Sequence, residues 1–178
     1  MVSSTIKTIT QTYPKDVKIV YKHQPLPYHQ NAMPAAEAAE AAREQGRFWG
    51  MHDLIFLNQR DLGSPKLEEW AKQIGLNMVR FHESIQQHKN KKRIEEDSKL
   101  GASVGAGATP TFFVNGRVLL GALPFENFKT MIDQEISKAN ELLKQGNRLD
   151  ASFYGKIVAE NIKKLTPVPS SPGAKKAE

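Results

Sequence analysis

The sequence predicts an α/β protein in which a small strand-bearing core is interrupted by a long helical block. Three observations carry that expectation. Val17-Lys18-Ile19-Val20-Tyr21-Lys22 is dense in β-branched and aromatic residues and reads as a short strand. Thr111-Phe112-Phe113-Val114 and Arg117-Val118-Leu119-Leu120 flank Asn115-Gly116, the dipeptide that a type I′ hairpin turn favours. Between these strands, from Ala32 to about Gly107, the apolar residues keep helical spacing throughout.

In chain order, Val2, Ile6 and Ile9 recur at spacings of four and three and predict an opening helix, which Tyr13-Pro14-Lys15-Asp16 ends. The strand at 17–22 follows. Gln24-Pro25-Leu26-Pro27 then takes the chain out of the sheet, because each proline removes a ladder donor. Ala35, Ala36, Ala38, Ala39, Ala41 and Ala42 form a small-residue helix of high propensity. The pattern runs on through Phe48, Trp49, Met51, Leu54 and Ile55, with Gly46 marking a break. Ser64-Pro65 is a helix start, Ser as N-cap and Pro at the first helical position, for a helix that carries Leu67, Trp70, Ala71 and Ile74 and ends at Gly75. Further helices are predicted at 77–88 and 90–103. Gly101, Gly105 and Gly107 loosen the backbone ahead of Thr109-Pro110 and the hairpin. A helix from about Phe125 sets Phe128, Met131, Ile132 and Ile136 on one face, and a last helix takes roughly 150–164. The closing LTPVPSSPGAKKAE reads as a disordered tail. The predicted organisation is therefore a discontinuous core at 1–31 and 108–140, a helical subdomain at 32–107, a helical extension at 141–164 and a tail at 165–178.

Composition bounds the chemistry. The 178 residues are 39% hydrophobic and 25% charged, as in a globular domain able to bury a core. No run approaches the roughly 18 apolar residues of a membrane span, and the first residues are too polar for the apolar middle of a secretory signal. A net charge of +6 is too mild to argue for nucleic acid. There are no cysteines, so these residues contain no disulfide, no thiolate nucleophile and no zinc-thiolate site.

Other residue patterns are better explained without chemistry. His23 and His29, like His82 and His88, are six apart, which fits neither a zinc-protease helix nor a finger, and no metal is expected. His52, between Trp49 and Phe56, reads as a packing histidine. Gly101, Gly105 and Gly107 lack the Gly-Lys-Ser/Thr that a phosphate loop needs. Lys89, Lys91, Lys92 and Arg93 are followed at once by Glu95, Glu96 and Asp97, so a solvated helix face is expected there. Phe48, Trp49, Phe56, Trp70 and Phe81 read as core. Asp53 and Asp61 form no carboxylate dyad, and no cofactor is implied.

Four strings, in order, carry a family resemblance: VKIVYKHQPLPYHQNA, AAEAAEAAREQGRFWGMHDLIF, GATPTFFVNGR and GALPFENFKTMID. Together they resemble the DsbA-like thiol-disulfide oxidoreductases, a thioredoxin fold with a helical insertion. In turn they look like that family's second strand and loop, the start of its inserted helices, its cis-proline loop with the hairpin, and its final core helix. The resemblance implies substrate binding at Thr109 and Pro110, unfolded or cysteine-containing proteins as partners, and a periplasmic setting. It also implies a central strand ahead of the first helix and a Cys-x-x-Cys at that helix's start, neither of which these residues contain. Truncation and natural loss both account for that, and either way the chain itself is expected to be redox-inactive. The strands at 17–22 and 111–115 would then border an open edge, inviting self-association or a borrowed strand. The runner-up reading is a non-enzymatic peptide-binding module that uses the proline loop and that edge.

Overall fold

The computed structural model describes residues 2–164, so the tail predicted at 165–178 lies outside the described residues. The elements run α1 (Val2–Thr12), α2 (Ala32–Arg43), α3 (Phe48–Leu57), a 3-10 turn at Gln59–Asp61, α4 (Ser64–Gln73), α5 (Met78–Gln86), α6 (Lys91–Ser103), β1 (Thr111–Val114), β2 (Arg117–Leu120), α7 (Phe125–Lys144) and α8 (Phe153–Lys164). The fold is mixed α/β and mostly helical, with one two-stranded sheet among the described residues.

The helical block is organised around α2, which packs against α3, α4, α5 and α6. Eight of its positions, Ala35 to Ala42, are buried in succession. Only a run of small side chains lets a helix be approached from so many directions, and six of those eight residues are alanine. Met51, Phe48, Ile55, Leu67, Trp70, Ala71, Leu76 and Phe81 fill the space around it. The break between α2 and α3 falls at Gly46, whose φ of +71° suits a residue without a Cβ. The α5 start is capped by Asn77, whose Oδ1 accepts from the Arg80 N–H at 3.1 Å.

In the second cluster, Ile9 of α1 and Tyr13, just past its end, meet Phe128 and Ile132 of α7. Phe112, Val114 and Leu119 of the hairpin pack against this cluster, and so do Val17 and Ile19. The hairpin has the expected register, Thr111 opposite Leu120 through Val114 opposite Arg117. Asn115 and Gly116 both have positive φ, 48° and 87°, as a type I′ turn demands. A Cβ on Gly116 would also lie 3.2 Å from Val158 of α8, which packs against β2.

Three expectations need correction. Residues 17–22 form no strand: they lie in no ladder, because β1 pairs with β2 alone and no backbone–backbone hydrogen bond joins 18–22 to any described residue. Composition makes a segment fit for a sheet, but a strand exists only with a partner. Ser64 is inside its helix rather than capping it; Gly63 holds the N-cap position, and its carbonyl accepts from the Leu67 and Lys66 N–H groups. Trp49 is not core: it is 42% exposed, its ring set edge-on against His52 and Phe48 at the surface of the block.

Candidate functional site

The Thr109-Pro110 peptide bond is cis, and Pro110 leads directly into β1. Thr109 is exposed and Pro110 half-buried. The Pro110 carbonyl accepts from the Gly121 N–H at 2.9 Å, so hairpin pairing reaches back to the proline itself. That bond fixes which way the backbone of β1 points. In an antiparallel pair, bonded and non-bonded positions alternate. Val114 with Arg117 closes the two-residue turn, and Pro110 with Gly121 is bonded, so Phe112 with Leu119 is the bonded pair between them. The N–H and C=O groups of Thr111 and Phe113 therefore face away from β2, toward the open edge. The Thr111 hydroxyl turns back to the Ala108 carbonyl at 2.7 Å and holds the loop in shape.

Residues 17–23 reach the same cluster as the hairpin through Val17 and Ile19. Their burial alternates: Val17, Ile19, Tyr21 and His23 are partly or fully buried, whereas Lys18, Val20 and Lys22 are exposed. With no ladder to hold it, the segment is fastened by side chains of the helical block. Asp97 of α6 is the main clamp, accepting from the His23 N–H through Oδ2 at 3.2 Å and from Lys22 Nζ through Oδ1 at 2.7 Å. Glu40, on the most buried helix, accepts at Oε1 from His23 Nε2 at 2.7 Å and from Arg43 Nε at 2.9 Å, and its Oε2 meets Arg93 Nε at 3.2 Å.

The electrostatics follow from this arrangement. Burial alone pushes the Glu40 carboxyl up, but the hydrogen bond and charge of His23, with Arg43 and Arg93, hold it below the usual range. Tyr21, its ring packed on His23, His52, Phe48 and Phe56, is pushed up to about 12, mainly by burial and secondarily by the Asp97 charge. Burial pushes His52 below its ordinary value against the opposing pull of Asp53, whose Oδ1 lies 2.9 Å from Nδ1.

The structure thus places Thr109 and Pro110 at the head of an open strand edge. Among the described residues no cluster of three or more histidines and carboxylates is arranged to hold a metal. His82 and His88 each meet one carboxylate, Glu68 and Glu37, and His52 is buried among aromatic rings. Lys89 and Lys92 pair with Glu83 and Glu96 on the surface, whereas Arg93 departs from the expected solvated face by reaching Glu40.

Sequence reasoning missed His23, Glu40 and Asp97. Two signals were present: His23 continues the inward period of Val17, Ile19 and Tyr21, and Glu37 and Glu40 interrupt a run of alanines too small to cover a charge.

A sequence-family model described as Thioredoxin matches residues 2–134. The chain is also similar to parts of proteins named as Na⁺/H⁺ antiporters. It is 43% identical to NhaA 3 of Salinispora tropica over 102 residues, 57% of this chain and 16% of that protein. It is 39% identical to NhaA of Herminiimonas arsenicoxydans over 107 residues, 60% of this chain and 17% of that protein. With NhaA 1 of Mycolicibacterium gilvum the identity is 34% over 119 residues, 65% of this chain and 19% of that protein. The chain therefore spans less than a fifth of the length of these relatives. No solved structure matches. Among the described residues no helix is long and apolar enough to cross a membrane.

Proposed function

This chain belongs to the thioredoxin family, and on that premise we propose that it is a DsbA-like member that acts on polypeptides, with the Thr109-Pro110 loop as its substrate-facing element. One observation carries the reading: Pro110 opens directly into β1, whose Thr111 and Phe113 backbone groups face an open edge. A free edge of this kind can pair with the backbone of an extended chain of almost any sequence. Its substrates are unfolded or cysteine-containing proteins, in an extracytoplasmic compartment where disulfides persist.

The chemistry of these residues limits the role. With no cysteine among the 178, the chain can hold a polypeptide during disulfide oxidation or isomerisation but supplies no thiolate to the exchange. The ion exchange named for the relatives is not carried over, because the chain spans less than a fifth of their length.

The test is titration of a reduced, unfolded protein against the full chain, with insulin reduction assayed in parallel. Saturable binding, weakened at least tenfold by Pro110→Ala, together with insulin reduction at background, is the expected result. Binding indifferent to Pro110, or thiol exchange above background from pure chain, overturns the reading.

A further inference from the structure

We propose that Gln24 is a positioning residue for the Thr109-Pro110 loop, acting through the notch that Gly101 leaves in the last turn of α6. The proposal rests on the polypeptide-holding reading above and names what sets the posture of that site.

The end of α6 is a capping turn. The Ala106 N–H donates to the Gly101 carbonyl at 2.8 Å and the Gly105 N–H to the Ala102 carbonyl at 3.2 Å, with Gly105 at a φ of +77°. These are the two bonds of a Schellman motif, in which Gly101 stands in the last helical turn and Ala106 just outside the helix. An apolar side chain at the Gly101 position commonly meets the residue outside. Here that position is glycine, a poor helix former, and a side chain from elsewhere takes the space. A Cβ on Gly101 would lie 3.2 Å from Gln24 Oε1, 3.7 Å from the Ala106 oxygen and 3.9 Å from the Ala106 Cβ.

Residues 22–24 reach the notch along one stripe of α6. Asp97 accepts from Lys22 Nζ and from the His23 N–H, and Ser98 Oγ donates to the His23 carbonyl at 3.4 Å. Gly101, one helical turn beyond Asp97, receives Gln24. Gln24 is thus delivered by a fastened backbone. Its Oε1 is buried and accepts no hydrogen bond. A buried amide oxygen without a donor is disfavoured, so what Gln24 supplies at this place is volume.

That volume matters because little else holds the loop. Gly105, Ala106, Gly107 and Ala108 carry no side chain able to anchor them. Among the described residues, 107–109 make no backbone–backbone hydrogen bond, and the Thr111 hydroxyl on the Ala108 carbonyl is the brace between Ala106 and Pro110. The loop is placed by its two ends. One is Pro110, bonded to Gly121; the other is Ala106, which shares the Gly101 notch with Gln24. A displacement at Ala106 therefore carries into the loop.

The test is a double-mutant cycle on the full chain, read by titration of a reduced, unfolded protein and by the NMR shifts of the 106–109 amides. Gly101→Ala drives a methyl against Gln24 and should weaken binding about fivefold, with the urea midpoint kept because alanine suits a helix better than glycine. Gln24→Ala empties the notch and should weaken binding by a similar factor. In the double variant the new methyl fills the emptied space, and binding returns to within about twofold of the parent, with the 106–109 shifts. Gln24→Met keeps the length without the amide and restores what Gln24→Ala loses. If Gln24→Ala fails to fold, Gly101→Ala set against the double variant makes the same comparison. Additive losses in the double variant, unmoved 106–109 shifts, or a Gln24→Met as weak as Gln24→Ala overturn the proposal. So does parent-like binding by both single variants while Pro110→Ala weakens it. Shifts that follow the cycle while binding ignores Gln24, Gly101 and Pro110 alike sink the loop reading and leave the positioning role standing.

Discussion

The helical block and the strand-bearing half are built from equally apolar material, yet one closes on itself and the other does not. In the block, each helix satisfies its own backbone, and burial around α2 needs only side chains of the right size. In the other half, Val17–Lys22 and β1 are furnished with inward-facing apolar residues, but the backbone of 18–22 and the outer groups of β1 pair with no backbone group among the described residues. Side-chain burial and backbone satisfaction are separate requirements. A helix meets the second within its own residues, whereas a strand depends on a neighbour. The polar clamp from Asp97 and Glu40 shows how such a segment is held in place when the ladder is absent.

Five substitutions would break or sharpen this contrast. The largest effect is expected at Trp70, 5% exposed in the closed cluster. Trp70→Ala should cost about 3–5 kcal/mol in urea unfolding. Phe128→Ala, in the cluster beneath the open edge, should fall toward the low end of that range, because a floor with an open side relaxes more readily. Equal or reversed costs would mean that the two halves are closed to the same degree.

Next is the clamp. Glu40→Gln removes the charge that Arg43 and Arg93 share with His23, and an order of about 2–3 kcal/mol is expected, below a fully buried pair because both arginines are partly exposed. Faster proteolysis or amide exchange confined to 17–24 should accompany it. A variant as stable as the parent would show that Val17, Ile19 and Tyr21 hold the segment without help.

Tyr21 gives a comparable effect in alkali. The unfolded chain loses the phenol proton near 10 and the folded chain only near about 12. The folded state therefore binds more protons in that window, and stability falls as pH rises through it, by roughly 2–3 kcal/mol in all. Tyr21→Phe should flatten this part of the pH–stability curve; an unchanged slope would mean that the ring is not buried by the block.

The smallest effect concerns His52. Its folded-state value lies below the ordinary 6.5, so the unfolded chain takes up the proton first as pH falls. The stabilisation is complete above 6.5 and declines as pH drops below it. His52→Phe should remove that decline while leaving the lower-pH loss that comes from protonating Glu40, whose folded value is also depressed. Midpoint denaturant concentrations between pH 7 and 4 separate the two.

Much of the fold could be read from residues close together in sequence. The hairpin is one case: Asn115-Gly116 names its own turn, and the register follows from it. The helices at 78–86 and 91–103 are another, because helical spacing and a cap such as Asn77 are local signals. Thr109 and Pro110 were legible as a loop entering a strand. The polar clamp was not, since His23, Glu40 and Asp97 are separated by 17 and 74 residues along the chain and nothing in their own neighbourhoods pairs them. The 17–22 segment lies between these cases: its alternation was visible in the sequence and the family resemblance implied an open edge beside it, whereas its failure to join any ladder was not legible.

What the sequence determined by itself is therefore whatever a few neighbouring residues decide: helix periods, turn chemistry, the small side chains that make α2 central, and the exclusion of thiol chemistry from a chain with no cysteine. The tertiary structure alone decided which charges share a buried site, and whether a strand-forming segment becomes a strand. The physical reason is that ladder bonds and buried ion pairs join groups distant in sequence, so their existence depends on what the rest of the fold brings alongside.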